Sequence, residues 1–145
     1  MFSSLNITLP TATTYTNDTP RLLELQSFGP LLNAKDAFDW LHGHPGFVGW
    51  TYTINAKVWT LLQPAKLIVD RAKDLVEPNG KIYNSRIRSA TCCHIKCYLD
   101  KTWMLIGSLN LVAPTLEDFC VLIKDKKQIA FQLKQFNRCW KVLAP

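Results

Sequence analysis

His94-Ile95-Lys96-Cys97-Tyr98-Leu99-Asp100-Lys101-Thr102-Trp103-Met104-Leu105-Ile106-Gly107-Ser108-Leu109-Asn110 reads as a strand, a tight turn and a second strand. Strand side chains alternate between faces, so His94, Lys96 and Tyr98 share one face while Ile95, Cys97 and Leu99 share the other. Asp100-Lys101-Thr102 supplies the turn and the strand entry, and Trp103 to Ile106 continues as a buried run. Ser108 and Asn110 repeat the two-residue spacing just past Gly107. Two neighbouring strands are thereby expected to deliver a His, a Lys, a Ser and an Asn towards one point. Such a set suits a phosphate group.

The chain around this hairpin supplies the rest of a layered domain. Residues 1 to about 20 are rich in Thr, Ser and Asn and hold no Lys or Arg, which predicts an exposed extended arm ahead of one domain over 21–145. Leu22 to Phe28 is expected to close the domain edge before Gly29-Pro30. Asn33 reads as the N-cap of a helix whose apolar face is Ala34, Ala37, Phe38 and Leu41, and His42-Gly43-His44-Pro45-Gly46 as the turn that stops it. Phe47 to Thr53 reads as a strand, Ile54 to Leu62 as a helix ended by Pro64, and Lys66 to Asp70 as a buried strand. Arg71 to Glu77 is expected to be helical, Asn79-Gly80 a turn, and Lys81-Ile82-Tyr83 the start of a further strand. Phe119 to Ile123 is another central strand. Ile129, Leu133, Phe136, Trp140 and Leu143 then recur at helical spacing, with Lys126, Lys127, Lys134, Gln135 and Lys141 between them. Strand and helix alternate, which predicts an α/β fold with a mixed, mostly parallel sheet, helices on both faces and a long C-terminal helix.

Composition narrows the partners. A chain of 145 residues with 48% hydrophobic residues can bury a real core. No apolar run reaches the roughly 18 residues of a membrane span, and no signal peptide is apparent, so a reducing cytoplasm is expected. The five cysteines, Cys92, Cys93, Cys97, Cys120 and Cys139, are an odd number and read as reduced thiols. Metal binding by Cys92, Cys93, His94 and Cys97 is disfavoured, because Cys97 points away from His94 on a strand. No metal or other cofactor is expected. A net charge of +6 favours an anionic partner, nucleic acid first and an anionic membrane surface second. Arg86 and Arg88 lead directly towards His94, so they are expected on the rim of the pocket as substrate-binding cations.

His94-x-Lys96, a short apolar strand, an Asp and Gly107-Ser108-x-Asn110 together resemble the signature of the phospholipase D superfamily, which includes phospholipases, small bacterial endonucleases and tyrosyl-DNA phosphodiesterases. Asp100 departs from the pattern by falling one residue early. The resemblance implies a phospholipase D-like domain and a metal-independent phosphodiesterase. His94 would attack phosphorus to form a phosphohistidine. Lys96 and Asn110 would stabilise the growing charge, with Ser108 holding the same phosphate. Glu117, or alternatively Asp118, would orient the His94 ring. One signature gives only one such His, so the resemblance further implies a homodimer through the signature face, two His94 rings meeting about a two-fold axis.

The first expectation is therefore an endonuclease of low sequence specificity acting on nucleic acid, DNA before RNA. The alternative is a nucleic-acid-binding or structural component on the same fold with weak or lost catalysis, docked in a larger assembly such as a phage particle. A phospholipase is the third reading, disfavoured because only one signature and no amphipathic membrane segment are visible.

Overall fold

Asp100 turns the central hairpin: its carboxylate accepts from the Thr102 backbone N–H at 2.7 Å and from the Thr102 hydroxyl at 3.0 Å, while its own N–H donates to Trp103 O at 3.1 Å. Around that hairpin the computed structural model describes residues 29–71, 85–90, 95–112 and 118–143. The strands are β1 (Leu31–Asn33), β2 (Val48–Thr53), β3 (Lys66–Arg71), β4 (Ile87–Ser89), β5 (Cys97–Leu99), β6 (Met104–Gly107) and β7 (Phe119–Ile123). The helices are α1 (Ala34–Gly43), α2 (Ala56–Leu62) and α3 (Lys126–Val142).

One seven-stranded sheet runs in the order β1-β7-β6-β5-β2-β3-β4. Only β2–β3 and β3–β4 pair in parallel; β1–β7, β7–β6, β6–β5 and β5–β2 are antiparallel. The α/β class and the mixed sheet hold, whereas the expected mostly parallel sheet is corrected to a mostly antiparallel one. The cause is local. The turn at Asp100 is too short for a crossover, and β7 returns beside β6 with the register Gly107↔Cys120. The edge beside β3 is filled by Ile87–Ser89, not by the strand expected at Lys81–Tyr83, which lies outside the described residues. Also outside them are the arm at 1–20, Leu22 to Phe28, all but the first residue of the helix expected from Arg71 to Glu77, the Asn79-Gly80 turn, and Cys92 and Cys93.

Period-two alternation sorts the strand residues onto two cores. Leu67, Val69, Ile87, Tyr98, Leu105, Cys120 and Leu122 face α1 and α2, meeting Ala37, Leu41, Val58, Trp59 and Leu62. Trp50, Ile68, Cys97, Leu99, Met104, Ile106 and Ile123 face α3, meeting Ile129, Phe136 and Trp140. Each helix starts on a capping side chain: Asn33 accepts from Asp36 N, Asn55 from Val58 N and Asp125 from Gln128 N. His44 is the C-cap of α1; its backbone N–H bonds Leu41 O and its ring stacks on Trp40 with centroids 4.0 Å apart. This is the expected turn.

Candidate nucleic-acid interface

Sheet topology brings three of the signature residues to one end of the sheet. The ends of β2 and β6 and the starts of β5 and β7 all lie there, by the pairings Trp50↔Cys97, Cys97↔Ile106 and Gly107↔Cys120. Lys96, half-buried, precedes β5, and its carbonyl accepts from Gly107 N at 3.1 Å. The chain then crosses that end from β7 to β2. Ser108 sits on the β7 side: its hydroxyl accepts from Phe119 N at 3.0 Å and bonds the Asp118 carboxylate at 3.1 Å. Asn110 sits on the β2 side, where its side-chain oxygen accepts from Tyr52 N at 3.3 Å and lies 3.5 Å from the Thr51 hydroxyl.

A buried knot fixes this crossing. Thr51 is fully buried, and its oxygen accepts from Leu111 N at 3.3 Å and lies 3.1 Å from the Tyr98 hydroxyl. Tyr98 also donates to Leu109 O. The face that His94, Lys96 and Tyr98 were expected to share therefore carries Tyr98 into the core beneath α1 and α2. Asp100 belongs to the turn at the other end of the sheet. His94 and Glu117 lie outside the described residues; Asp118, the alternate acid, holds Ser108.

The two arginines do not join this end. Arg86 lies before β4, where its carbonyl accepts from Leu67 N and its guanidinium sits 5.2 Å from the Trp59 ring centroid. Arg88 points to the opposite face of the sheet and lies 4.3 Å over the Trp140 ring, donating to Trp140 O. Its charge thus meets the carbonyl end of α3, where a cation is stabilised by the helix dipole. Lys66 lies 5.3 Å from the same ring. Arg88 fastens the C-terminal helix, and His94, around which the rim was expected, lies outside the described residues.

Positive charge gathers instead on the outward face of α3. Ile129, Gln132, Phe136 and Trp140 are its buried residues. At 3.6 residues per turn, Lys127, Lys134, Arg138 and Lys141 fall within an arc of about 60° diametrically opposite that core, and all four are exposed. Phe131 falls at the margin of the same arc and is 49% exposed. Lys126 adds a fifth cation, and no Asp or Glu occurs from residue 126 onward, in a chain whose net charge is +6. In the sequence alone, Lys126, Lys127, Lys134 and Lys141 stand between the apolar positions with no role assigned to them. The missed signal was the lack of acids among them.

The two buried thiols in the sheet, Cys97 and Cys120, offer no nucleophile. Burial pushes the Cys97 thiol far above its ordinary range, and Cys120 is pushed up to about 12 by burial, partly offset by a backbone hydrogen bond at Leu109. No helix among the described residues is long and apolar enough to cross a membrane.

No family model matches the chain, and no curated protein is similar to it. Among solved structures, the archaeal chromatin protein TrmBL2, described as showing a novel mode of DNA binding, matches with a TM-score of 0.45 and 13% identity over 91% of this chain and 62% of that one. This chain thus spans less than two thirds of that protein's length. The expected phosphodiesterase is corrected here. In this chain the Ser108 hydroxyl and the Asn110 carbonyl oxygen hold strands together. The expected two-fold dimer was required by a two-histidine reaction, and loses that rationale with it.

Proposed function

We propose that this domain binds nucleic acid as a non-cleaving component of a larger assembly, holding the phosphate backbone along the outer face of α3. One observation carries the reading: four exposed cations stand in register on a rigid helix with no acid beside them. Lys127 to Lys141 spans about 21 Å of helix at 1.5 Å per residue, room for several successive phosphates. The helix cannot turn this face inward, because Ile129, Phe136 and Trp140 anchor the other side in the core. That anchoring also disfavours an anionic membrane, since a surface-seeking helix needs its apolar face free for lipid.

The test is fluorescence anisotropy with labelled DNA of about 30 nucleotides, in excess EDTA, across a salt series. Wild-type protein is expected to bind with affinity that falls steeply as salt rises, leaving the DNA intact. Lys134→Glu with Arg138→Glu should weaken binding by about thirtyfold or more, while Lys57→Glu, exposed on α2 across the sheet, should change it less than about twofold. Equal losses from both variants would refute the interface. Cleavage of the DNA in EDTA would refute the non-cleaving role.

A further inference from the structure

Phe131 is the one member of the basic arc on α3 that charge does not explain. It follows Lys127 by four residues and precedes Lys134 by three, so on a helix it is the immediate neighbour of both. Its ring is 49% exposed, whereas the helix's other aromatic residues, Phe136 and Trp140, are 0% and 9% exposed. The arc otherwise presents only Lys134, Arg138 and Lys141 beyond it. It holds no Asn or Gln, the amides that read base edges in a groove. The surface therefore offers phosphate contacts and one flat apolar plate set between them.

Such a pairing has a specific complement. In a duplex the faces of the bases are covered by their neighbours, and only phosphates, sugars and groove edges meet a protein surface. In a single strand each base also has a face free to stack, and the adjoining phosphates lie to either side of it. Resting on the nucleic-acid reading above, we infer that the partner is single-stranded nucleic acid, with an unpaired base stacked on Phe131 and flanking phosphates held by Lys127 and Lys134. The plate is sequence-tolerant, because every base has a π-face.

The experiment compares a 30-nucleotide oligothymidylate with a duplex of equal length at one salt concentration. It uses the full chain, Phe131→Ala and Phe131→Trp, with melting curves recorded for each. The single strand should bind wild-type protein about tenfold more tightly than the duplex. Phe131→Ala should lose roughly tenfold on the single strand, within the range expected for one stacked base, and remove that preference with little change on the duplex. Phe131→Trp should restore the single-strand affinity. Equal losses on both ligands, or a duplex preference in wild-type protein, would overturn the stacking inference while leaving the nucleic-acid reading intact. Binding of neither ligand would overturn the reading itself. So would binding of anionic lipid vesicles in their place.

Discussion

Replacing Thr51 by Val keeps the side-chain shape and deletes only the hydroxyl at the centre of the buried knot. The Leu111 N–H, 3.3 Å from that oxygen and in a fully buried residue, loses its acceptor. The Tyr98 hydroxyl keeps Leu109 O and Asn110 keeps Tyr52 N, while the half-buried Thr53 O loses the 3.1 Å bond that Thr51 donates, so the penalty centres on the fully buried Leu111 N–H. Leaving a buried donor unpaired costs about 1–3 kcal/mol, and the added methyl returns up to about 0.8 kcal/mol of transfer energy. Taking about 2 kcal/mol for the orphaned donor and the full methyl term, the net loss is about 1.2 kcal/mol, which for a chain of this size corresponds to a melting temperature lower by about 2–5 °C. Urea unfolding followed by tryptophan fluorescence should show a lower midpoint with an unchanged slope. A cycle with Tyr98→Phe should reveal coupling of at least about 0.5 kcal/mol, because the two hydroxyls are 3.1 Å apart. Since α3 lies on the other side of the sheet, DNA affinity should stay within about twofold of wild type. A variant as stable as wild type would refute the knot. A folded variant that had lost DNA binding would place the interface at the sheet end instead of on the helix.

Three further outcomes follow from the same geometry. Gly107→Ala would set a Cβ 2.1 Å from Phe119 O and 2.7 Å from Cys120 Cα, forcing β6 and β7 apart; a soluble protein melting like wild type would show that the strands can yield. The Cys120 thiol stays protonated to about 12 in the fold, whereas an unfolded thiol ionises near 9.0. The unfolded chain therefore loses a proton that the folded chain keeps, and stability should fall as pH rises from about 9 to about 12. Cys120→Ala should flatten that decline in alkaline melts, and an unchanged profile would contradict it. If four α3 cations each meet a phosphate, log affinity for a single strand should fall against log salt with a slope of about −2.8. Lys134→Gln with Arg138→Gln should reduce this to about −1.4, and an unchanged slope would remove both residues from the interface.

Much of the architecture was legible because apolar periodicity is read directly from residue type. The alternation Cys97-Tyr98-Leu99 fixed opposite faces for Tyr98 and its neighbours, and the spacing of Ile129, Phe136 and Trp140 fixed the buried side of α3. Strand direction was not legible. A connection of four residues, Asp100 to Trp103, forces antiparallel pairing, but the placement of β7 beside β6 depends on contacts between residues distant in sequence. The use of the candidate site residues was not legible for a different reason. Ser and Asn side chains bond inward to backbone as readily as outward to a ligand, and nothing in Gly107-Ser108-Leu109-Asn110 says which. Only the crossing from β7 to β2, which sets Ser108 against Phe119 and Asn110 against Tyr52, decides it.

The basic arc, by contrast, has no inward use. Lys134 and Arg138 stand at i,i+4, and Arg138 and Lys141 at i,i+3; like charges at these spacings destabilise a helix by about 0.2–0.5 kcal/mol per pair. Lys141 gains from the helix dipole, being in the last turn, but Lys127 lies in the first turn, where a cation is disfavoured. A helix shaped for stability alone would alternate acids with these residues, as α1 does where Lys35 pairs with Asp39 at 3.0 Å. Repulsion on α3 is relieved when an anion of repeating charge lies along the face, and such a ligand stabilises the folded chain by mass action. The arrangement thus makes a thermodynamic demand that the stabilising core behind it does not meet. Saturating oligonucleotide should raise the melting temperature of wild-type protein, and should do so far less when Lys134 and Arg138 are neutralised.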